Sequence, residues 1–239
     1  MQVKTHVYEE LEKVIIMLRK TIADKKQGIA VISANYGTGK TEAAKMLTKQ
    51  HPDVYYMKIS QTLDTPSKFT RELARVVGSA ISRSYQETLD FLATYLEATG
   101  QNPIIILDEA QRLLSKRTLM GEIKDVFEEF PIRFIMLGDL DLLKHINRYP
   151  ALNKRIIIRK SLSPLSEKTI KSLAEAYKIK TDETLLKVAK QRNWSTIEVD
   201  RLLYYAKGMK IETLTEKEIN TLIKAVEVSL WKTLFGLLW

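Results

Sequence analysis

Ala34-Asn35-Tyr36-Gly37-Thr38-Gly39-Lys40-Thr41 stands between an apolar run, Ile29-Ala30-Val31-Ile32, and a stretch that reads as a helix from Thr41 to Lys49. A strand buried on both faces, a glycine-bearing turn and a helix, in that order, follow the pattern GxxxxGK[ST], with alanine in the first glycine position. Gly37 and Gly39 allow backbone amides to turn inward around phosphate oxygens with no Cβ in the way. The helix opening near Lys40 aims free N–H groups and the positive end of its dipole at the same oxygens. Lys40 neutralises charge on the terminal phosphates, and the Thr41 hydroxyl is suited to ligate Mg²⁺. Asn35, Tyr36, Gly37, Thr38, Gly39, Lys40, Thr41 and Glu42 are therefore the expected nucleotide contacts.

A phosphate loop of this kind needs an acidic partner at the end of another buried strand. Ile104-Ile105-Ile106-Leu107-Asp108-Glu109 supplies one. Asp108 would hold Mg²⁺ and Glu109 would polarise the attacking water. The expected metal ligands are Thr41 and Asp108, and the expected general base is Glu109.

Outward from these two motifs the chain alternates strands and helices. Val7, Leu11, Val14, Ile15, Leu18 and Ile22 recur at helical spacing in an N-terminal helix. Val54–Ile59, Arg133–Leu137 and Ile156–Ile158 read as further strands, with helices over 66–82, 84–98, 117–129 and 140–147 between them. Such alternation predicts an α/β fold with a five-stranded parallel sheet flanked by helices. After Ser161-Leu162-Ser163-Pro164 the pattern is helical throughout, over 166–178, 182–192, 195–207 and 215–235. Thr181, Ser195 and Thr215 are the expected N-caps, Thr215 three residues before Glu218 as in a capping box. The expected division is a nucleotide-binding core over 1–162, N-terminal helix included, and an all-α lid over 163–239. No internal repeat is evident.

Composition narrows the class further. The 239 residues are 45% apolar and 28% charged, ordinary for a globular chain, and there are no cysteines. Disulfides, thiolate metal sites and cysteine nucleophiles are thereby excluded. With no signal-like start and no long apolar run, the chain reads as soluble and cytoplasmic, without a membrane role. Net charge is +9. Residues 1–150 carry 21 Lys/Arg against 19 Asp/Glu, and residues 151–239 carry 17 against 10, so the excess of seven lies in the last third. A polyanionic partner and a merely lysine-rich surface both account for it.

The paired motifs, the strand count and the helical remainder resemble the AAA+ ATPases. Within them, Asp108-Glu109-Ala110-Gln111-Arg112-Leu113 is similar to the DEAQ/DEAH-x-L signature of the transposition-regulator group typified by MuB, TnsC and TniB. Leu152-Asn153-Lys154-Arg155-Ile156-Ile157-Ile158-Arg159, followed by Ser161-Leu162-Ser163-Pro164-Leu165, is similar to a second stretch of that group. The resemblance implies a P-loop ATPase using ATP and Mg²⁺. It implies a homo-oligomer, ring or filament, on double-stranded DNA without sequence preference, with a transposase as partner, acting in target selection and transposase activation. An assembly or secretion-system ATPase and an ATP-driven signalling switch, neither with a DNA role, are the alternatives. At the end of the fourth strand, where the family carries Asn or Thr, this chain has Asp139, so hydrolysis is expected to be slow. A trans-acting arginine is sought among Arg148, Arg155 and Arg159, with Arg155 best placed by the resemblance.

Lys116-Arg117 follows DEAQRL and is either a DNA-backbone contact or a solvated helix start. Lys154, Lys160 and Arg201 are further basic candidates. Trp194, Tyr204 and Tyr205 are expected in the core of the helical module. The apolar C-terminus from Leu230 to Trp239 is expected to pack back on that module or to dock a partner.

Overall fold

The structure, a computed structural model, describes residues 5–23, 28–114, 117–162 and 165–235; side chains at 22–23, 117–118, 127 and 226–235 also fall outside the description. The helix α1 (His6–Ala23) precedes β1 (Ile29–Ala34), α2 (Lys40–Gln50) and β2 (Val54–Lys58). Then come α3 (Pro66–Val77), α4 (Tyr85–Thr99), β3 (Ile104–Asp108), α5 (Arg117–Glu129) and β4 (Arg133–Gly138). Two short helices, α6 (Leu142–Ile146) and α7 (Pro150–Asn153), lead to β5 (Ile156–Leu162).

These five strands form one sheet in the order β2-β3-β4-β1-β5, each pair parallel. Every residue of β1, β3 and β4 is buried, as the unbroken apolar runs require of interior parallel strands. The edge strand β5 alternates instead: Ile156, Ile158 and Leu162 face inward while Ile157 and Arg159 are exposed. It runs four residues past the expected end at Ile158 because Arg159–Leu162 continue the pairing with β1. One core unites the inward residues of the sheet with Phe69, Leu73, Leu92, Leu96, Ile123 and Val126 from the helices.

Local chemistry sets the helix ends. Thr65 caps α3, with Pro66 at its first turn and left-handed Gly78 closing it. That closure ends the helix at Val77, short of the expected 82. Leu11, Val14, Ile15 and Leu18 bury the inner stripe of α1. Its polar side is tied down by Arg19, whose Nε and Nη2 donate to Asp53 at 2.8 and 2.5 Å, and by Glu10, which pairs with Lys13 and with Lys160 of β5.

The chain divides into two compact units. The first comprises Glu10–Asn35 and Lys40–Leu162; the second starts at Ser163 and takes in Tyr36–Gly39 and the first turn of α1, to Glu9. The second unit holds α8 (Glu167–Tyr177), β6 (Lys180–Thr181), α9 (Glu183–Gln191), α10 (Thr196–Gly208), β7 (Thr213–Leu214) and α11 (Glu216–Phe235). The short strands β6 and β7 pair in parallel, an element that helical periodicity does not foresee. The expected cap at Thr181 moves by one: Asp182 accepts from the Thr184 amide at 2.8 Å, because Thr181 is spent in β6. Ser195 and Glu198 form a reciprocal capping box, and Thr215 and Glu218 bond to each other. Trp194 and Tyr205 pack against the helical core. Tyr204 does not: its neighbours Val199, Leu202, Leu203 and Ala206 take the buried stripe, and it is left 65% exposed.

Candidate functional site

In an open parallel sheet, ligands bind beyond the carboxyl ends of the strands. The loop after β1 and the acidic pair ending β3 both lie there, on strands separated by β4. Gly37 and Gly39 have φ of 74° and 82°, left-handed backbone that explains glycine at both positions. A Cβ built on Gly39 would meet no atom within 4 Å, so the loop turns an open hollow toward solvent at that point.

Lys40, only 9% exposed, donates from Nζ to the carbonyls of Ala34 and Asn35, both at 2.7 Å. Burial pushes its ammonium below the usual lysine range, and the negative charges of Asp108, Glu109 and Asp139 oppose that shift. These four groups therefore share one electrostatic site, as the sequence pattern requires. Asp108 is buried and fully engaged. Its Oδ2 accepts from the Thr41 hydroxyl at 2.7 Å and from the Tyr56 hydroxyl at 2.9 Å, and its Oδ1 from the Glu109 amide at 3.0 Å.

Thr41 and Asp108 thus bring a hydroxyl and a carboxylate into contact. Hard oxygen donors of this kind suit Mg²⁺, which typically takes one or two protein ligands and completes its shell with water and phosphate oxygens. Among the described residues no cluster of three or more His, Cys, Asp or Glu forms a metal cage. The donor set fits an ion delivered with its nucleotide.

Glu109 adopts a left-handed φ of 61°, unusual for a side chain of its size. Its carboxylate turns back along the chain: Gln111 Nε2 donates to Oε2 at 2.9 Å, and Arg112 Nη2 lies 3.6 Å from the same oxygen. Gln111 Oε1 is buried with no hydrogen-bond partner among the described residues. It lies 2.6 Å from where a Cβ on Gly138 would stand, so the end of β4 accepts glycine alone without displacing it. Asp139 Oδ1 accepts from the Asp141 amide at 3.1 Å and thereby shapes the turn into α6.

The remaining candidates fall in different places. Tyr36 is 68% exposed and Thr38 is buried, while Glu42 pairs with Lys45 at 3.6 Å. Arg155 is committed to an ion pair with Glu128 and to the Ala151 carbonyl. Arg159 donates to Asn153 Oδ1 at 2.7 Å. Arg148 lines a cleft of about 390 Å³ with Met120, Lys124, Tyr149 and Leu152, and its guanidinium has no partner among the described residues. Lys160 is paired with Glu10. Lys116, the Arg117 side chain and the side chains of the apolar C-terminus lie outside the described residues.

Sequence reasoning missed Tyr56 and Gln111. Tyr56 reaches Asp108 from a neighbouring strand, and its only local signal is a large aromatic on β2 between half-buried Tyr55 and buried Met57. Gln111 was visible within the DEAQ string, though its role in holding Glu109 was not.

Residues 23–146 match the family model described as AAA domain. Over 167 aligned residues the chain is 24% identical to the Mu-like prophage FluMu DNA transposition protein B of Haemophilus influenzae, covering 67% of this chain and 57% of that protein. It is 24% identical over 177 residues to the ATP-dependent target DNA activator B of Escherichia phage Mu, covering 68% and 53% respectively. The chain thus spans a little over half the length of these curated relatives. Among solved structures, the Aeropyrum pernix ORC2 protein superposes with a TM-score of 0.65 at 16% identity, over 94% of this chain and 68% of that one. The Aeropyrum pernix ORC1 protein in complex with DNA gives 0.62 at 14% identity, over 95% and 67%. These likenesses establish the shared fold. With a family match running from the end of α1 through both motif strands to the end of α6, the chain belongs to the AAA domain family of P-loop ATPases.

Proposed function

We propose that this chain hydrolyses ATP, assembles with copies of itself on duplex DNA without sequence preference, and regulates transposition by selecting target DNA and activating a transposase. The observation that carries the nucleotide chemistry is the 2.7 Å bond from Thr41 to Asp108, which joins the phosphate loop to the acidic end of β3. In this reading Lys40 leaves the Ala34 and Asn35 carbonyls for the terminal phosphates. Thr41 and Asp108 would hold Mg²⁺, which would supply charge neutralisation to a bound nucleotide. Glu109 turns from Gln111 to accept a proton from the attacking water. A cation from a neighbouring copy would complete the site, drawn from Arg148, Arg155 and Arg159; Arg155, best placed by the resemblance, would have to leave Glu128, whereas Arg148 and Arg159 form no ion pair among the described residues.

The DNA role draws support from the relatives, one named a DNA transposition protein and another an ATP-dependent target DNA activator. The net charge of +9 is of the sign a polyanion requires. Gel shifts with duplexes of unrelated sequence, in ATP and in ADP at two salt concentrations, test it, with negative-stain imaging of the ATP samples. ATP-dependent, sequence-indifferent and salt-sensitive binding is expected. Absence of binding in both nucleotide states would move the assignment to a secretion-system or assembly ATPase or to an ATP-driven signalling switch, neither with a DNA role.

A further inference from the structure

Two helix ends in the second unit are built alike. Ala174-Glu175-Ala176-Tyr177-Lys178-Ile179-Lys180-Thr181 closes α8 and enters β6, and Ala206-Lys207-Gly208-Met209-Lys210-Ile211-Glu212-Thr213 closes α10 and enters β7. The two strings share A-x-[AG]-x-K-I-x-T, a short internal repeat that a search for longer periods misses. Their hydrogen bonds also match. Ile179 N donates to Ala174 O and Ile211 N to Ala206 O, both at 2.9 Å; Lys178 N donates to Glu175 O at 2.9 Å and Lys210 N to Lys207 O at 3.0 Å. Each is a Schellman closure whose left-handed residue is lysine, with φ of 60° at Lys178 and 58° at Lys210.

Glycine is the favoured residue at such a position, because a Cβ there crowds the following carbonyl. This chain uses glycine at the ends of α3 and α4, Gly78 and Gly100, and asparagine at Asn193 after α9. Lysine at the two matched ends is thus the less stable choice, made twice.

The two ends also meet. Strand β6 pairs with β7, Lys180 lying opposite Thr213, and Lys180 N donates to Glu212 O at 2.8 Å. Lys207 Nζ sits 5.8 Å from the Tyr177 ring centroid, so the last turns of α8 and α10 lie side by side. Lys178, Lys180, Lys207 and Lys210 are all exposed around this bridge, and none forms an ion pair among the described residues. On the same elements stand Glu175, Asp200 and Glu212, with Glu167 and Glu198 in the first turns of α8 and α10, where Glu167 pairs with Lys171 and Glu198 accepts from the Ser195 amide. Asp200 accepts from the Tyr177 hydroxyl at 2.9 Å and keeps its charge, so around the bridge four lysines face Glu175, Asp200 and Glu212, an excess of one cation.

We infer that the β6–β7 end of the second unit is a docking surface for the phosphate backbone of duplex DNA, with Lys178, Lys180, Lys207 and Lys210 as its contacts. The inference rests on the DNA reading above and gives it a location. Phosphate contacts need cations on a fixed frame and no base-reading side chains, which is what four lysines around a capped two-strand bridge supply. The competing account is local: each lysine merely opposes the negative end of its own helix.

Replacing Lys178 and Lys210 by glycine separates the two accounts. The backbone strain is relieved while both charges are lost. If the surface serves DNA, the Lys178→Gly/Lys210→Gly protein melts at the wild-type temperature or above it. It binds duplex about tenfold or more weakly near 50 mM salt, with the salt slope reduced in magnitude by roughly two units. A Lys178→Arg/Lys210→Arg protein keeps both affinity and slope. Lys190→Ala/Lys224→Ala, which removes the same charge from the far end of α9 and from within α11, changes affinity far less. The inference is overturned if the glycine pair binds as wild type does, if the control pair loses as much affinity, if the arginine pair loses it too, or if the glycine pair melts markedly lower. Absence of duplex binding by the wild type itself overturns the DNA reading and this surface together, whereas wild-type binding retained in the glycine pair removes this surface alone.

Discussion

Tyr56 donates its phenolic hydrogen to the same Asp108 oxygen that Thr41 reaches, at 2.9 Å from β2 against 2.7 Å from the phosphate loop. Two hydroxyls on separate elements thus fix one lobe of the carboxylate, while the Glu109 amide fixes the other at 3.0 Å. Burial and the Asp108 charge push the Tyr56 phenol well above the usual tyrosine range, so it remains a donor at any working pH. Asp108 is held in one orientation before any ion arrives.

Tyr56→Phe is expected to raise the Mg²⁺ concentration that half-saturates nucleotide binding by roughly three- to tenfold, the scale of one ordinary net hydrogen bond, since Thr41 and the Glu109 amide still hold Asp108. Nucleotide affinity in EDTA should be unchanged, because among the described residues Tyr56 bonds to Asp108 and makes no hydrogen bond to the phosphate loop. Fluorescence titration across a Mg²⁺ series measures both, and an unshifted midpoint would remove Tyr56 from the site.

Lys40→Ala should abolish ATP binding, since it deletes a cation fixed beside the loop. Stability has the opposite sign. Burial holds the Lys40 pKa below its unfolded value, against the opposing charges of Asp108, Glu109 and Asp139, so keeping the ammonium there costs native stability. The variant is expected to melt at or slightly above the wild-type temperature despite losing its bonds to Ala34 and Asn35. Calorimetric ATP binding at wild-type affinity would contradict the loop assignment.

Glu109→Gln preserves the shape at the end of β3 but removes the carboxylate that accepts a proton. Steady-state turnover should fall by about 10²- to 10⁴-fold. ATP affinity should stay near the wild-type value, because Thr41 and Asp108 are untouched. Turnover at the wild-type rate would exclude Glu109 as the base.

Much of this architecture is legible from sequence because its determinants are local. Gly37, Gly39, Lys40 and Thr41 announce themselves by spacing, and the fully apolar runs of β1 and β3 mark strands buried on both faces. What escaped depends on contacts between distant segments. Tyr56 meets Asp108 only because β2 and β3 are neighbours, and Arg155 is committed to Glu128 only because the loop before β5 lies near α5. Tyr204 was misplaced for a subtler reason: a helix with a narrow buried stripe leaves one member of an aromatic pair outside, and periodicity does not say which. The left-handed lysines were invisible because lysine carries no signal for that backbone.

Glu10 offers a test by pH. Hydrogen bonds from Lys13 and Lys160 pull its carboxyl down to about 2, against an ordinary value of 4.5. A depressed folded-state pKa contributes stability that is complete above the unfolded value and is lost as pH falls toward the folded one. Since Glu10 joins α1 to β5 through Lys160, Glu10→Gln should cost about 1–2 kcal/mol at pH 7, discounted from the full shift for solvent screening. The difference from wild type should shrink between pH 4.5 and pH 2. Denaturant melts at pH 7, 4 and 3 measure it; a difference that is constant with pH would show that the ion pair is not its source.

Gly138→Ala tests the contact beneath the acidic motif. The added Cβ would stand 2.6 Å from Gln111 Oε1 and 3.0 Å from Leu142 Cδ2. Gln111 is the more mobile of the two, so it should swing away and withdraw its amide from Glu109, now 2.9 Å distant. Overpacking of this kind costs about 1–3 kcal/mol. The turnover rate should change as well, because Glu109 loses the partner that turns it back along the chain. A double-mutant cycle isolates the cause. In a Gln111→Ala background the obstacle is gone, so Gly138→Ala should lose most of its stability cost and leave turnover where Gln111→Ala alone puts it. Costs that add within about 0.5 kcal/mol would mean that the two residues act independently. The strain would then lie against Leu142 and the start of α6, with no link from β4 to Glu109.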